Sequence, residues 1–180
     1  MKAHTMMIAV ATLLLAAACT NKQVTTEKNM NTLSFNQEQG SAVDGRTDVV
    51  CAQSAWPLGN PNEAFAQYFT GNSYLAVLDT ASGLCNVTFE PGCRNNWHVH
   101  HGAVQMLICV SGRGWYQEWG KPAVELKPGV TIAVPEGVKH WHGAAKDSWM
   151  QHLTYHTDAK PGNSNEWLEP VSDEQYNTLQ

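Results

Sequence analysis

The sequence predicts an all-β protein, an antiparallel sandwich or barrel of about eight or nine short strands. Short apolar runs recur between residues 74 and 156, and turns rich in glycine and proline separate them, which is typical of antiparallel sheets. The 14 glycines and 8 prolines supply the turns, and the 7 tryptophans suit half-buried strand surfaces. No helical periodicity competes with this pattern before the C-terminal end.

The predicted strands follow one another closely along the chain. They cover residues 74–78, 84–89, 97–101, 105–110, 115–119, 124–126, 130–134, 138–142 and 149–156. Residues 64–69 are ambiguous between helix and strand. At the end of the chain, Ser172 and Gln175 fit a capping box, which predicts a short terminal helix.

The first nineteen residues predict an export signal. Lys2 precedes an apolar run from Ile8 to Ala18, which is too short to span a bilayer. Small residues directly before Cys19 resemble a bacterial lipoprotein signal, in which the lipidated cysteine would be the only membrane attachment. A conventional secretory peptide cleaved nearby is the alternative. Both interpretations export the protein, to the periplasm or the cell surface.

The remaining chain divides into a tether and one domain. Residues 20–55 are rich in Asn, Thr, Gln, Ser and Glu, which predicts a flexible tether. Residues 56–180 are long enough for a single domain with a substantial core. The net charge of −5, without a basic cluster, argues against nucleic acid or an anionic lipid surface as a partner.

Four cysteines follow the leader, and export permits disulfides among them. No C-x-x-C pair is present, and Cys85 and Cys109 lie inside apolar runs. We therefore expect buried thiols that pack as small apolar residues.

Histidines form the most informative pattern, since seven of the eight lie between positions 98 and 156. Residues i and i+2 of a strand share a face, so His98 and His100 point together and His101 points away. His140 follows a Pro-x-Gly turn, and Gln105 offers a side-chain carbonyl. Three imidazoles and one amide oxygen predict a divalent metal site with open coordination positions.

Two segments resemble the paired motifs of the cupin family. The first is Gly92-x5-His98-x-His100-x4-Gln105-x6-Gly112, and the second is Gly129-x5-Pro135-x-Gly137-x2-His140. The resemblance implies a double-stranded β-helix, a jelly-roll barrel that holds one metal ion on those four ligands. It also implies a homodimer, the common assembly of such cupins.

Within the cupins, the chain is similar to short bacterial members related to manganese-dependent hydroxynitrile lyases and to carboxymuconolactone decarboxylase-associated cupins. The similarity covers residues 56–176 and rests on the segments 89–92, 114–118, 139–145 and 173–176. It implies that His152 is the catalytic acid and base, and that Cys85 and Val87 line the cavity. Strand parity adds His142 and His156 to a substrate pocket.

Three residues just before the metal strand are candidates for the mouth of the pocket: Cys93, Arg94 and Asn95. Arg94 either binds an anionic substrate or is a solvated turn residue.

The chain departs from the cupin pattern at two positions. Gln105 replaces the usual glutamate, and Ala144 replaces an asparagine. Four neutral ligands leave the full charge on the metal, which favours polarisation of a bound carbonyl or hydroxyl. The donors suit manganese, iron, nickel or zinc, and the resemblance implies manganese first.

These expectations favour an exported metal-dependent enzyme with a small-molecule substrate. The resemblance implies a lyase acting on a small hydroxy or carbonyl compound, either hydroxynitrile lyase-like or decarboxylase-like. A metal-dependent dioxygenase is one alternative, because one scaffold hosts many reactions. A non-catalytic cupin that binds a metal or small ligand is the other.

Overall fold

The structure is a computed structural model that describes residues 54–179. Within that range the chain forms two antiparallel sheets and a short C-terminal helix, so the predicted all-β cupin fold is confirmed. The leader and nearly all of the predicted tether lie outside the described residues. No helix among residues 54–179 has the length and apolar character needed to cross a membrane.

The strands are short and most of them end at a glycine or proline turn. They are β1 (Asn60–Pro61), β2 (Phe69–Thr70), β3 (Ser73–Asp79), β4 (Leu84–Phe89), β5 (Arg94–Asn95), β6 (His98–His101), β7 (Val104–Gly112), β8 (Gly114–Glu118), β9 (Val124–Leu126), β10 (Thr131–Val134), β11 (His140–Ala144), β12 (Met150–Thr157) and β13 (Ser164–Trp167). A 3₁₀ helix, Glu63–Tyr68, and an α-helix, α1 (Asp173–Tyr176), complete the described chain.

Strand pairing gives each sheet a fixed order. The first sheet runs β1-β3-β4-β12-β7-β10, and the second runs β13-β6-β11-β5-β2, with β8 added to β11 and β9 added to β8. In the register of the second sheet, His140 lies opposite His98. In the first sheet, His152 lies between Val87 of β4 and Cys109 of β7.

Alternating burial shows why these runs form strands. Along β7, the side chains of Gln105, Leu107 and Cys109 are buried, whereas the residues between them are half-buried. A period of two is the signature of a strand with one face toward a core. The core of the described chain contains Phe89, Leu107 and Met150, each 0% exposed. Burying one such side chain stabilises the fold by roughly 1.5–3 kcal/mol.

The C-terminal segment packs on the outside of the second sheet through Arg94. Its guanidinium donates to the Val171 carbonyl oxygen at 3.1 Å and to the Asp173 carboxylate, and it lies 4.3 Å from the Tyr176 ring centre. Arg94 is 5% exposed. Both sequence interpretations of Arg94, as an anion-binding residue and as a solvated turn residue, were wrong, because the end of the chain covers it and takes up its hydrogen bonds.

Several further sequence predictions can be compared with the structure. Every predicted strand has a counterpart, and of the ambiguous residues 64–69 the first five lie in the 3₁₀ helix and Phe69 begins β2. Ser172 caps α1, since its Oγ accepts a hydrogen bond from the Gln175 backbone N–H at 3.2 Å. Three cysteines are free thiols, as expected: Cys85, Cys93 and Cys109. The strands β1, β2, β5 and β13 were not predicted.

Candidate metal centre

Three buried histidines meet where β6 and β11 run side by side. His98 and His140 are 0% exposed and His100 is 2% exposed. Their candidate ligand atoms all lie within 4.8 Å of one another, and the ring centres of His98 and His140 are 4.1 Å apart. The H-x-H spacing in β6 and the facing position in β11 place these rings on one face of the sheet.

Each of the three rings is oriented by a hydrogen bond at Nδ1. His98 Nδ1–H donates to the Asn96 carbonyl oxygen at 3.0 Å, and His140 Nδ1–H donates to the Val138 carbonyl oxygen at 2.9 Å. His100 Nδ1–H donates to the Asn165 side-chain oxygen. With Nδ1 protonated, each Nε2 carries a lone pair, which is the form that a metal ion requires.

The Nε2 atoms of the three histidines indicate whether this site could bind a metal ion. Those of His98 and His100 are buried and have no hydrogen-bond partner within residues 54–179. Unpaired buried acceptors are costly unless something occupies the space between them. Three converging imidazole lone pairs in a buried site can hold one metal ion, in agreement with the predicted site.

Burial also keeps these rings neutral. It lowers the pKa of His140 to about 4. Burial, followed by the nearby His140 and His100 imidazoles, lowers the pKa of His98 well below its usual value. Burial and the neighbouring His156 lower the pKa of His100 as well. Neutral imidazoles do not have to lose a proton before they bind a metal.

Gln105 of β7 approaches the three histidines from the first sheet. Its side-chain oxygen lies 3.0 Å from His140 Nε2. Because His140 donates through Nδ1, its Nε2 is an acceptor, and two acceptors this close favour a cation beside both of them. The structure therefore brings all four predicted ligands together, with Gln105 only 7% exposed.

Strand β13 covers one side of this centre. Trp167 packs its ring 4.8 Å from the His98 ring and stacks on Tyr68 at 4.6 Å between ring centres. Asn165 of the same strand accepts the hydrogen bond from His100. Neither residue was predicted from the sequence. The only signal was the turn at 160–163 before a short polar segment, which lacks the apolar alternation of the other strands.

His152 is separated from the metal candidate by one ring, since its ring centre is 4.8 Å from that of His142, which lies 5.5 Å from that of His98. His152 is 1% exposed and follows a register shift between Gln151 and His152 in the pairing of β12 with β7, and irregularities of this kind re-aim side chains. Its Nδ1–H donates to the Leu153 carbonyl oxygen at 3.3 Å, and its Nε2 is buried and has no partner among residues 54–179. Burial lowers its pKa to about 4, so the ring is neutral and Nε2 is a free base.

His142 and Asn95 form a connected pair beside His152. The rings of His142 and His152 are 4.8 Å apart and nearly perpendicular. Asn95 contacts His142 through two hydrogen bonds of 2.9 Å each, one to the ring and one to the backbone N–H. The Phe89 ring packs 5.4 Å from His152 and 5.9 Å from His142. The sequence analysis did not single out Phe89 as a site residue.

The remaining pocket candidates are distributed along the first sheet. Val87 is directly opposite His152 in the strand register and is buried. Cys85 lies opposite Thr154 nearer the edge of the barrel and is half-buried. His156 approaches the metal candidate, with its Nε2 3.2 Å from His100 Nδ1.

Comparison with known proteins agrees with this geometry. The family model described as the cupin domain matches residues 85–154. An (R)-mandelonitrile lyase from Granulicella tundricola is 44% identical over 116 residues, which cover 62% of this chain and 87% of that protein. The crystal structure of a cupin-like protein from Thermotoga maritima is 38% identical, with a TM-score of 0.63, and the match covers 69% of this chain and 95% of that one. The chain belongs to the cupin family.

Proposed function

We propose that this protein is a metal-dependent hydroxynitrile lyase, which cleaves a cyanohydrin into an aldehyde or ketone and hydrogen cyanide. The observation that carries the proposal is His152, a buried neutral base whose Nε2 has no partner within residues 54–179. Its ring centre is 4.8 Å from that of His142, which is 5.5 Å from that of His98, one of three imidazoles that can hold one metal. The 44% identity to an (R)-mandelonitrile lyase supports the same reaction class.

The metal in this proposal is a divalent ion, manganese first, held by His98, His100, His140 and Gln105. Nitrogen and oxygen donors suit manganese, iron, nickel and zinc, and the neutral set leaves the ionic charge uncompensated. When bound, such an ion supplies Lewis-acid polarisation of a substrate oxygen.

His152 performs the proton transfers. Its Nε2 takes the hydroxyl proton of the cyanohydrin, the O–H electron pair forms the carbonyl bond, and the carbon–carbon bond breaks with its pair on cyanide. The same proton then passes from Nε2 to cyanide, which leaves as hydrogen cyanide. The proton and both electron pairs are accounted for without an oxidant or a further cofactor.

The apolar wall of Val87 and Phe89 suits the hydrocarbon part of such a substrate. Both side chains are buried, and Phe89 packs against His152. An aldehyde with an aromatic or short aliphatic substituent can therefore lie with its carbonyl carbon near the base.

The test compares wild type with His152→Gln in the release of benzaldehyde from mandelonitrile, after metal analysis of the purified protein. We expect about one divalent ion per chain in both proteins and a rate reduced at least 100-fold in the variant, the scale of a lost general base. His101→Gln is the matched control, because His101 faces outward and pairs with Glu166 at the surface. Full turnover in His152→Gln would contradict the assignment, and oxygen consumption without aldehyde release would identify an oxygenase instead.

We also propose that Cys19 carries a lipid that anchors the exported protein, and that the protein is a homodimer. The apolar run before Cys19 supports the first part. Membrane fractionation of wild type and Cys19→Ser tests it, since the variant is expected in the soluble fraction. Sedimentation of residues 54–180 tests the dimer, and a monomeric mass would contradict it.

A further inference from the structure

The hydrogen bonds of Asn95 determine which nitrogen of His142 carries the proton. Asn95 Oδ1 accepts from the backbone N–H of His142 at 2.9 Å. A backbone N–H can only donate, so the amide of Asn95 has one possible orientation. Its Nδ2 then lies 2.9 Å from His142 Nε2. Because Nδ2 can only donate, Nε2 must carry the lone pair.

The hydrogen of the His142 ring is therefore on Nδ1. That atom is buried and has no partner within the described chain. The nearest ring is His152, whose Nε2 is a buried acceptor that also lacks a partner. Within the described residues, the His142–His152 pair thus presents one unpaired donor and one unpaired acceptor, and a ligand with both kinds of group satisfies them together.

Gly143 makes the close approach of Asn95 possible. Gly143 of β11 lies opposite Arg94 in the paired strand β5, and Arg94 directly precedes Asn95. A Cβ at position 143 would lie 2.5 Å from the Cys93 carbonyl oxygen and 2.6 Å from Arg94 Cα. Only glycine allows the backbones of β5 and β11 to lie this close. The close approach brings the Asn95 amide within hydrogen-bond distance of the His142 ring.

We propose that Asn95 is a positioning residue that holds His142 as an Nδ1–H donor to the nitrile end of the substrate. This inference rests on the proposed lyase function. As the carbon–carbon bond breaks, negative charge grows on the departing cyanide, and a fixed donor in a buried site stabilises that charge. His142 and His152 then have opposite roles, one donating to the leaving group and the other taking the hydroxyl proton.

The first test measures the tautomer directly. Nitrogen-15 NMR of histidine-labelled, zinc-loaded protein distinguishes a protonated ring nitrogen from a bare one, and His142→Phe assigns the signals. We expect His142 to be protonated at Nδ1 and bare at Nε2. A proton on Nε2 in wild type would overturn the proposal, whatever the activity of the protein.

The second test inverts the hydrogen bond with Asn95→Asp, which has nearly the same shape. A carboxylate accepts from both the backbone N–H and the ring, so it places a proton on Nε2. We expect the NMR signals to show that proton, and kcat for mandelonitrile to fall about 100-fold with KM changed less than about threefold. Asn60→Asp, at the exposed strand β1, controls for the added charge. Unchanged kcat in Asn95→Asp with an inverted tautomer would overturn the positioning role.

A third measurement separates this proposal from the lyase itself. Azide is a linear anion that mimics cyanide, and we expect it to shift the His142 Nδ1–H signal in wild type but not in Asn95→Asp. If wild type cleaves no cyanohydrin but shows this shift, the lyase proposal fails and the donor role of His142 stands. The absence of the shift in a lyase-active wild type would overturn the donor role alone.

Discussion

Gln105 is the residue that most changes the electrostatics of the candidate metal centre. It lies 3.0 Å from His140 Nε2, within a group of neutral rings. A glutamate at this position would offset part of the charge of a bound ion, whereas an amide offsets none. The amide therefore favours polarisation of a substrate oxygen, and it lowers the affinity for the metal. The balance between substrate polarisation and metal affinity therefore depends on whether the side chain of residue 105 ends in an amide or a carboxylate.

The cysteine thiols give a prediction at the same scale. Burial raises the pKa of Cys93 to about 12 and that of Cys109 to about 11. Because only the thiolate reacts with disulfide reagents, we expect both thiols to be inert to an aromatic disulfide at pH 8 in the folded protein. They react once guanidinium unfolds the chain. The half-buried Cys85 reacts first in the folded state.

The thiol measurement uses residues 54–180, which excludes Cys19 and Cys51. Cys85→Ser is the control, and it removes the early phase of reaction without changing the late phase. Rapid reaction of either remaining thiol in the folded Cys85→Ser protein would contradict the buried positions of Cys93 and Cys109.

At the scale of elements, β13 contributes more to the centre than its length suggests. Asn165 orients His100, and Trp167 packs against His98. We expect Asn165→Ala to weaken metal binding by about 10–100-fold, because a lost partner of a metal-binding imidazole has effects of this size. Competition with a chromogenic chelator measures the affinity.

Glu166→Ala is the matched control for β13. Its side chain lies on the exposed face of the same strand and pairs with His101. Its metal affinity is expected to equal that of wild type. Equal affinity in Asn165→Ala as well would show that His100 needs no partner from β13.

The sequence predicted the longer strands because each has apolar alternation bounded by Gly or Pro turns. It did not predict β2 or β5, which have two residues each, since a pair of residues has no period. β13 has one apolar residue in four and gives no alternation either. The histidine set was visible from spacing alone. The contacts of Phe89, Asn165 and Trp167 were not, because they depend on how distant strands meet.

For the whole molecule, a metal ion on the four candidate ligands would couple the two sheets. Gln105 belongs to the first sheet and the three histidine ligand candidates belong to the second. An ion held by both stabilises the folded state, by about 4 kcal/mol when its concentration is a thousand times Kd. We expect chelation to lower the melting temperature by on the order of 10 °C, and added manganese to restore it.

Scanning calorimetry of chelated and metal-loaded protein measures this effect. His98→Ala is the comparison variant, and its melting temperature should not depend on manganese. Identical melting of chelated and reloaded wild type would mean that no ion joins the sheets.

The three hydrogen bonds that orient the histidine rings differ in how far along the chain they reach. His98 and His140 each donate to a carbonyl two residues earlier, so a short stretch of strand is enough to orient them. His100 depends on Asn165, 65 positions later. Two of the rings can therefore be oriented by their own strands, and the third is oriented only after β13 has paired with β6. A metal ion would meet three oriented rings only once this long-range pairing has formed, so we expect firm capture of an ion to follow that pairing rather than precede it.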